Sequence, residues 1–518
     1  MADWPPEGPR RSRPESALSL GLSRPPKPAP AAPFLLQGCA VLEKILGTYV
    51  PDLGGALWLG LLVAFLLYGD FRRVLAPRNL ALLGLLAMAP FLNDIGRWGY
   101  LAHPTVATYW WTAIFLIVIG HTAWGLALTQ RPERTGWTPN VPRSGLVMLT
   151  GLLVGMNVLM TLGKRADDAG QYTNLGAQRW LETGILPYGD TLLIGPKSPA
   201  FGAASTYGPI LYLAHLPTVL LLGGRQNPPQ AIPEVKAGYK RPNGTGAQVV
   251  ALLFHLAGLA ALFAAARRIA GVEAGLGAVA LYASMPYLAG LAADHGAISG
   301  VQFISHIAPS ALMLMAIAAI EAPFLSGALF ALSAGALFYP VFIFPAWFAW
   351  RFWRHQQPWR FAAGTVVAGA AILALVVAYT PADGAIGSVG KFVHAIVEHQ
   401  EGTGANQYGG SDFGFWGTHR GLASFWHAPM VGASPFTSPI FLGFIGLCLG
   451  ACFMVRRGGV ATLAAVTAAL AAGVQLWKTH GGGTYIEWYL PFLILALVAG
   501  NRAGRPNEAP AVPAPSGG

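Results

Sequence analysis

The chain has 518 residues, of which 54% are hydrophobic and only 11% charged, with a formal net charge of +11. A soluble domain carries about 25% charged residues, so this composition excludes an ordinary soluble enzyme and points to a polytopic membrane protein. The positive charge sits in turns between apolar runs rather than in a basic helix or an aromatic-basic patch. That excludes a nucleic-acid partner and matches the Lys/Arg excess of cytoplasmic loops.

Residues 1–33 are basic and Pro-rich and lack an apolar signal core, so they are predicted as a disordered tail. Residues 34–144 hold extra membrane helices, with spans predicted near 53–69, 79–96 and 105–128. Further spans follow near 145–163, 248–266, 273–291, 303–320, 324–338, 339–352, 361–380, 438–455, 459–477 and 484–500. The runs are continuous rather than alternating, so they predict helices, not barrel strands. The stretch 324–352 is too long for one span. Tyr339-Pro340 near its middle predicts two short helices meeting there. The expected fold is an all-α membrane bundle of about 13 transmembrane helices, ending in a second disordered tail over 501–518.

Basic clusters orient the spans: Arg72/Arg73/Arg78, Arg131/Arg134/Arg143, Arg267/Arg268, Arg351/Arg354/Arg360, Arg456/Arg457 and Arg502/Arg505. With all of them cytoplasmic, the spans alternate without conflict. Residues 164–247 and 381–437 then become long outer loops. The apolar stretch TYGPILYLAHLPTVLLLGG inside the first is expected to lie on or dip into the outer leaflet. An odd number of spans places the basic N-terminus outside. An extra crossing by FLLQGCAVLEKILGTYV resolves this, and an interfacial helix there is the equal alternative.

The acids then gather on the outer side: Asp167, Asp168, Glu182, Asp190, Glu234, Asp294, Asp383, Glu398, Glu401, Asp412 and Glu487. Transporters usually carry ionisable groups inside their spans. Here Asp94, His121 and His255 are the candidates near spans, and they do not cluster in sequence. An enzyme working at the outer face on a lipid-borne substrate fits better. A transporter or flippase of lipid-linked saccharides is the alternative, and a non-catalytic scaffold leaves the outer acids unexplained.

Asp167 and Asp168 directly follow a span. Two adjacent carboxylates raise one pKa, and partial desolvation makes a better base for a hydroxyl. The competing explanation is a helix cap, since Asp favours that position and Gly184 stops the helical pattern that follows.

The stretch KRADDAGQYTNLGAQRWLETGILPYGD resembles the first outer loop of GT-C superfamily membrane glycosyltransferases. These carry an acidic pair after a span, a Tyr about four residues on, a helix, Gly-x-x-Pro-Tyr, and then a Tyr-Pro-Pro-like motif opening a juxtamembrane helix. This chain has Asp168-x-x-x-Tyr172, Gly184-Ile-Leu-Pro187-Tyr188 and Thr206-Tyr207-Gly208-Pro209, with Gly208 where the first Pro often stands. The resemblance continues through the Arg-Arg-x-x-Gly turn, the hairpin around Tyr339-Pro340 and TYIEWYLPFLILALVAG. It covers about 145–500, in order, and is nearest to bacterial polyprenyl-phosphate mannosyl- and arabinosyltransferases.

The resemblance implies a polyprenyl-phosphate sugar donor, a glycan or lipid acceptor, and inversion at the sugar. The first-loop Asp acts as general base: Asp168 if Tyr172 is the landmark, Asp167 if the acidic pairs are aligned. Tyr172, Tyr188 and Tyr207 fall at substrate-binding positions. The leaving phosphate needs positive charge or donors, and Arg179, Lys197, His295, His306, Arg420, Lys478 and His480 are the candidates. Asp294-His295 is the best second-loop pair, against a plain solvated turn. Lys478 and His480 precede three glycines able to approach an anion, against an interhelical turn with interfacial aromatics.

The loop around His394, Glu398 and His399 has no zinc-signature spacing, and its aromatics suit sugar stacking or interface anchoring. No metal ligands are assigned, and a divalent cation stays open as a cofactor. Cys448 and Cys452 share one face of an apolar helix, which predicts packing.

Overall fold

The structure is a computed structural model that describes residues 53–86, 137–163, 168–189, 207–222, 245–289, 292–293, 296–297, 300–400, 437–477 and 485–500. In chain order come α1 (Leu53–Tyr68), α2 (Pro77–Leu86), α3 (Arg143–Gly163), α4 (Asp168–Thr183) and α5 (Pro209–Leu222). Next are α6 (Thr245–Ala270), α7 (Val272–Ala283), α8 (Ile304–Ala318), α9 (Pro323–Ala336) and α10 (Phe344–Trp353). The last are α11 (Pro358–Tyr379), α12 (Gly384–Gln400), α13 (Thr437–Met454), α14 (Val460–Trp477) and α15 (Leu490–Ala499). Among the described residues, the only other regular pairing is a two-residue ladder of Ala292–Ala293 with Gly296–Ala297.

Each predicted span except 105–128 coincides with a helix or with part of one. Residues 87–136, which include 105–128, lie outside the described residues, as do both predicted tails and 34–50. Three helices, α3, α6 and α11, are long and apolar enough to cross a membrane by length and composition. The remaining apolar helices are shorter. The predicted break at Tyr339-Pro340 is a 3-10 turn, Tyr339–Ile343, between α9 and α10.

Local sequence explains the boundaries. Proline stands at the start of α9, α10, α11 and α15, where its missing N–H leaves no helical bond unmade. Gly184 follows α4 with φ 69°, the left-handed conformation in which glycine ends a helix.

The core runs through α15, whose Phe492, Leu493, Ile494, Leu495 and Ala496 are all enclosed by protein. It packs against α6, α7 and α14. The outer helices do the reverse. Met148 and Leu152 of α3 are 75% and 68% exposed, as are Val366 and Val367 of α11 at 67% and 57%. Apolar faces of this kind mark a surface that meets lipid or another apolar partner.

Small residues set the closest crossing. A Cβ on Gly327 of α9 would lie 2.0 Å from the Phe361 carbonyl oxygen, and one on Gly364 of α11 would lie 2.0 Å from that of Phe324. Glycine lets two helix backbones approach to this distance.

Polar ties gather the arginine-bearing turns at one end. Arg268 donates to the Ala318 carbonyl at 2.7 Å and Arg351 to that of Ile320 at 3.0 Å. Arg354 donates to the Gly458 carbonyl at 3.1 Å, and Arg456 lies over the Trp353 ring. The opposite end is tied by Gln248 to the Thr161 carbonyl at 3.4 Å, and by Leu186 N–H to the Tyr379 carbonyl at 2.7 Å.

Candidate functional site

The site region lies at the end away from the arginines. The backbone of Asp168 opens α4. The Asp168 side chain and all of Asp167 lie outside the described residues. From there α4 is seated by its apolar face. Ala169, Ala177 and Trp180 are buried in a cluster with Leu211 and Tyr212 of α5 and Ile304 and Ala308 of α8. Gly176 permits this seating, since a Cβ there would meet the Tyr212 ring at 2.5 Å. Tyr172 is half-buried against the same cluster. Arg179 pairs with Glu182 at 3.5 Å, so the carboxylate offsets part of the charge that sequence reasoning offered to a phosphate.

Tyr188 and Tyr207 form a buried frame. The Tyr188 hydroxyl donates to the Tyr207 carbonyl at 2.5 Å, and the Tyr207 N–H donates to the Tyr212 hydroxyl at 3.2 Å. The Tyr188 ring meets those of Tyr212 and Phe392 edge-on, at 5.9 and 5.0 Å. Burial pushes the Tyr188 phenol well above its ordinary pKa, with Tyr212 adding to the shift, so it remains a donor. Gly208 continues the frame. Its N–H reaches the Ala336 carbonyl at 3.3 Å, and a Cβ there would lie 2.0 Å from the Gly335 carbonyl oxygen. Glycine at this position follows from contact with α9.

A second polar centre joins α8 to the turn before α15. His306 Nδ1 lies 3.1 Å from Glu487 Oε2, and the Gly300 N–H donates to Glu487 Oε1 at 3.0 Å. The imidazole lies between the rings of Phe303 and Tyr485, at 4.8 and 4.5 Å. Tyr485 stacks on Trp488 at 4.2 Å, and Trp488 stacks on Tyr339 at 4.3 Å. The Trp488 indole donates to the Ser305 carbonyl at 3.1 Å. Gln475 brackets Tyr485, donating to its carbonyl at 3.0 Å and accepting from its N–H at 3.2 Å.

The Leu497 carbonyl of α15 accepts from Trp137 N–H, which ties that end of α15 to the turn before α3.

Of the other predicted site residues, Asp294, His295, Arg420, Lys478 and His480 lie outside the described residues, as does Lys197. Gly300 and Tyr485, residues of the His306–Glu487 centre that the structure describes, come after two of these stretches in the chain. Gly300 follows the Asp294-His295 loop, and Tyr485 follows the Lys478–His480 loop. Sequence reasoning placed His306 and Glu487 on the outer side but did not pair them. The available signal was an acid among aromatics at the head of an apolar span, where an ionisable residue needs a partner. Among the described residues, no three His, Cys, Asp or Glu side chains gather as a metal site. Cys448 is buried and Cys452 half-buried on α13, with the Cys452 thiol against the Cys448 carbonyl at 3.5 Å.

Comparisons with protein families, curated proteins and solved structures find no match to this chain.

Proposed function

We propose that the chain is an inverting glycosyltransferase of the GT-C type, a bundle of about 13 transmembrane helices. It would work at the outer face of a bacterial plasma membrane. The Asp168 carboxylate, or Asp167 in the alternative alignment, takes the proton of an acceptor hydroxyl on a glycan or lipid-linked glycan. The acceptor oxygen bonds to the anomeric carbon as the bond from that carbon to the phosphate oxygen breaks. The electron pair leaves with polyprenyl phosphate.

One observation carries this reading. Ala169, next to Asp168, and Ile304, two residues from His306, belong to one buried cluster. The start of α4, which Asp168 opens just past the membrane-capable helix α3, and the start of α8 thereby share one buried cluster, and this supports the reading. The ordered motifs from Asp168 to Tyr207 and the apolar outward faces support it further. In the test, purified protein receives radiolabelled polyprenyl-phosphate mannose and a membrane acceptor extract. Transfer is expected from wild type and lost in Asp168→Asn. Full transfer by both Asp168→Asn and Asp167→Asn would refute the mechanism.

The buried His306–Glu487 pair favours a second reading, a transporter or flippase of lipid-linked saccharides, because ionisable pairs inside apolar bundles mark transport pathways. Flipping in proteoliposomes, with no transfer from mannose, arabinose or glucose donors, selects that reading.

A further inference from the structure

The arginine-bearing end of the bundle carries a charge that its own residues do not neutralise. Arg351, in the last turn of α10, is buried at 1% exposure. Its guanidinium donates to the Ile320 and Gln356 carbonyls at 3.0 and 3.4 Å and lies over the Phe361 ring at 5.0 Å. Carbonyls and a ring orient the ion but bring no countercharge, and buried ions are normally paired. Among the described residues, no carboxylate forms an ion pair with Arg351, Arg354, Arg360 or Arg456. Glu321 is engaged by Arg268 instead, at 3.6 Å.

Two of these arginines are exposed on one ridge. Arg354 donates to the Gly458 carbonyl at 3.1 Å and lies over the Trp350 ring, and Arg456 lies over the Trp353 ring at 4.9 Å. The ridge is fixed by indole donors. Trp350 also donates to the Gly458 carbonyl, at 3.0 Å, and Trp353 to that of Cys452, at 3.1 Å. The turn from α10 to α11 adjoins it. There His355 and Gln357 have φ 54° and 50°, the only non-glycine residues in the left-handed region among the described residues. Such conformations cost energy and cluster at ligand clamps.

The depth of the ridge identifies its partner. α11 begins at Pro358 in this turn and has 22 residues, a rise of about 33 Å. That matches the hydrocarbon core of a bilayer, about 30 Å thick, so the turn stands at headgroup level. Phe352, Trp353 and Trp359 are exposed there, as aromatics are at a membrane–water boundary. Val366 and Val367 continue the exposed apolar surface along α11. Arginine donors above an apolar face fit a lipid with an anionic head, whereas a soluble acidic partner would leave that face uncovered.

We propose that the α10–α11 turn and the turn after α13 form a binding site for the headgroup of an anionic phospholipid. Arg354 and Arg456 donate to its phosphate, and the buried charge of Arg351 adds to the local field. The acyl chains lie along the exposed face of α11. The site is at the opposite end from Asp168 and does not depend on the glycosyltransferase reading.

The test measures equilibrium binding of phosphatidylglycerol to full-length protein in neutral detergent, with phosphatidylcholine as the zwitterionic control. Wild type is expected to prefer phosphatidylglycerol by about tenfold or more, the weight of one charge-assisted hydrogen bond. The double variant Arg354→Gln/Arg456→Gln loses the preference, and the matching lysine variant retains part of it. Arg72→Gln/Arg73→Gln removes the same charge from an exposed turn elsewhere in the chain and leaves the preference intact. Arg456→Gln alone covers the case of an unstable double variant, and it should lose part of the preference. Equal binding of the two lipids, an unchanged preference in the Arg354/Arg456 variants, or an equal loss in the Arg72/Arg73 variant overturns the proposal. Displacement of phosphatidylglycerol by an equal concentration of glycerol phosphate would make this a site for free phosphate and overturn its assignment to lipid.

Discussion

Nδ1 of His306 and Oε2 of Glu487 lie 3.1 Å apart across 181 residues of chain, both enclosed by protein. The pair bridges α8 and the turn before α15, and Gly300 joins it through Glu487 Oε1. Breaking a buried pair by removing one partner is costly because the other is left unpaired. Glu487→Ala should therefore lower stability by about 3–5 kcal/mol, and Glu487→Gln by less, because an amide oxygen still accepts from Gly300. Thermal unfolding in detergent reads this. A wild-type midpoint in Glu487→Ala would show that the pair does not form.

Tyr188 separates a framing role from substrate contact. Its hydroxyl donates to the Tyr207 carbonyl at 2.5 Å inside a dry cluster. Removing that donor in Tyr188→Phe should cost about 1–3 kcal/mol and leave KM for the donor unchanged. A raised KM with an unchanged melting temperature would instead give Tyr188 the substrate-binding role that the resemblance implies.

Gly208 tests the departure from the resembling motif. Restoring the more usual proline places a Cβ against the Gly335 carbonyl and removes the N–H that reaches Ala336. Gly208→Pro should destabilise the protein by about 1–3 kcal/mol, the usual cost of overpacking, and Gly208→Ala somewhat less. Unfolding midpoints decide it. Unchanged midpoints in both variants would mean that the loop does not rest on α9.

The arrangement of the arginines predicts sidedness. In a cysteine-free background, Arg268→Cys and Arg354→Cys should label with an impermeant maleimide from one face of the membrane. Lys391→Cys, on exposed α12, should label from the other. Labelling of all three from the same face would contradict the two-ended placement of charge.

Much of the helix pattern was legible in the chain because burial in an apolar phase demands long apolar runs, and Pro and Gly punctuate them. α3, α6 and α11 fall where hydropathy puts them, and the break at Tyr339-Pro340 sits where proline removes a helical N–H. The apolar stretch from Tyr207 was legible as a helix, and α5 is a helix there. The acidic start of α4 was visible as Asp167-Asp168.

What the chain by itself determined, then, is where most of the described helices fall and that they are apolar, because these depend on neighbours near in sequence. Only the tertiary structure decided which polar groups meet. Tyr188 and Tyr207 form a buried frame because α4 and α5 close on each other over Gly176. Glu487 finds His306 because the turn before α15 returns to the start of α8. Contacts across such sequence separations leave no periodic trace, since a single partner far along the chain satisfies each buried polar atom.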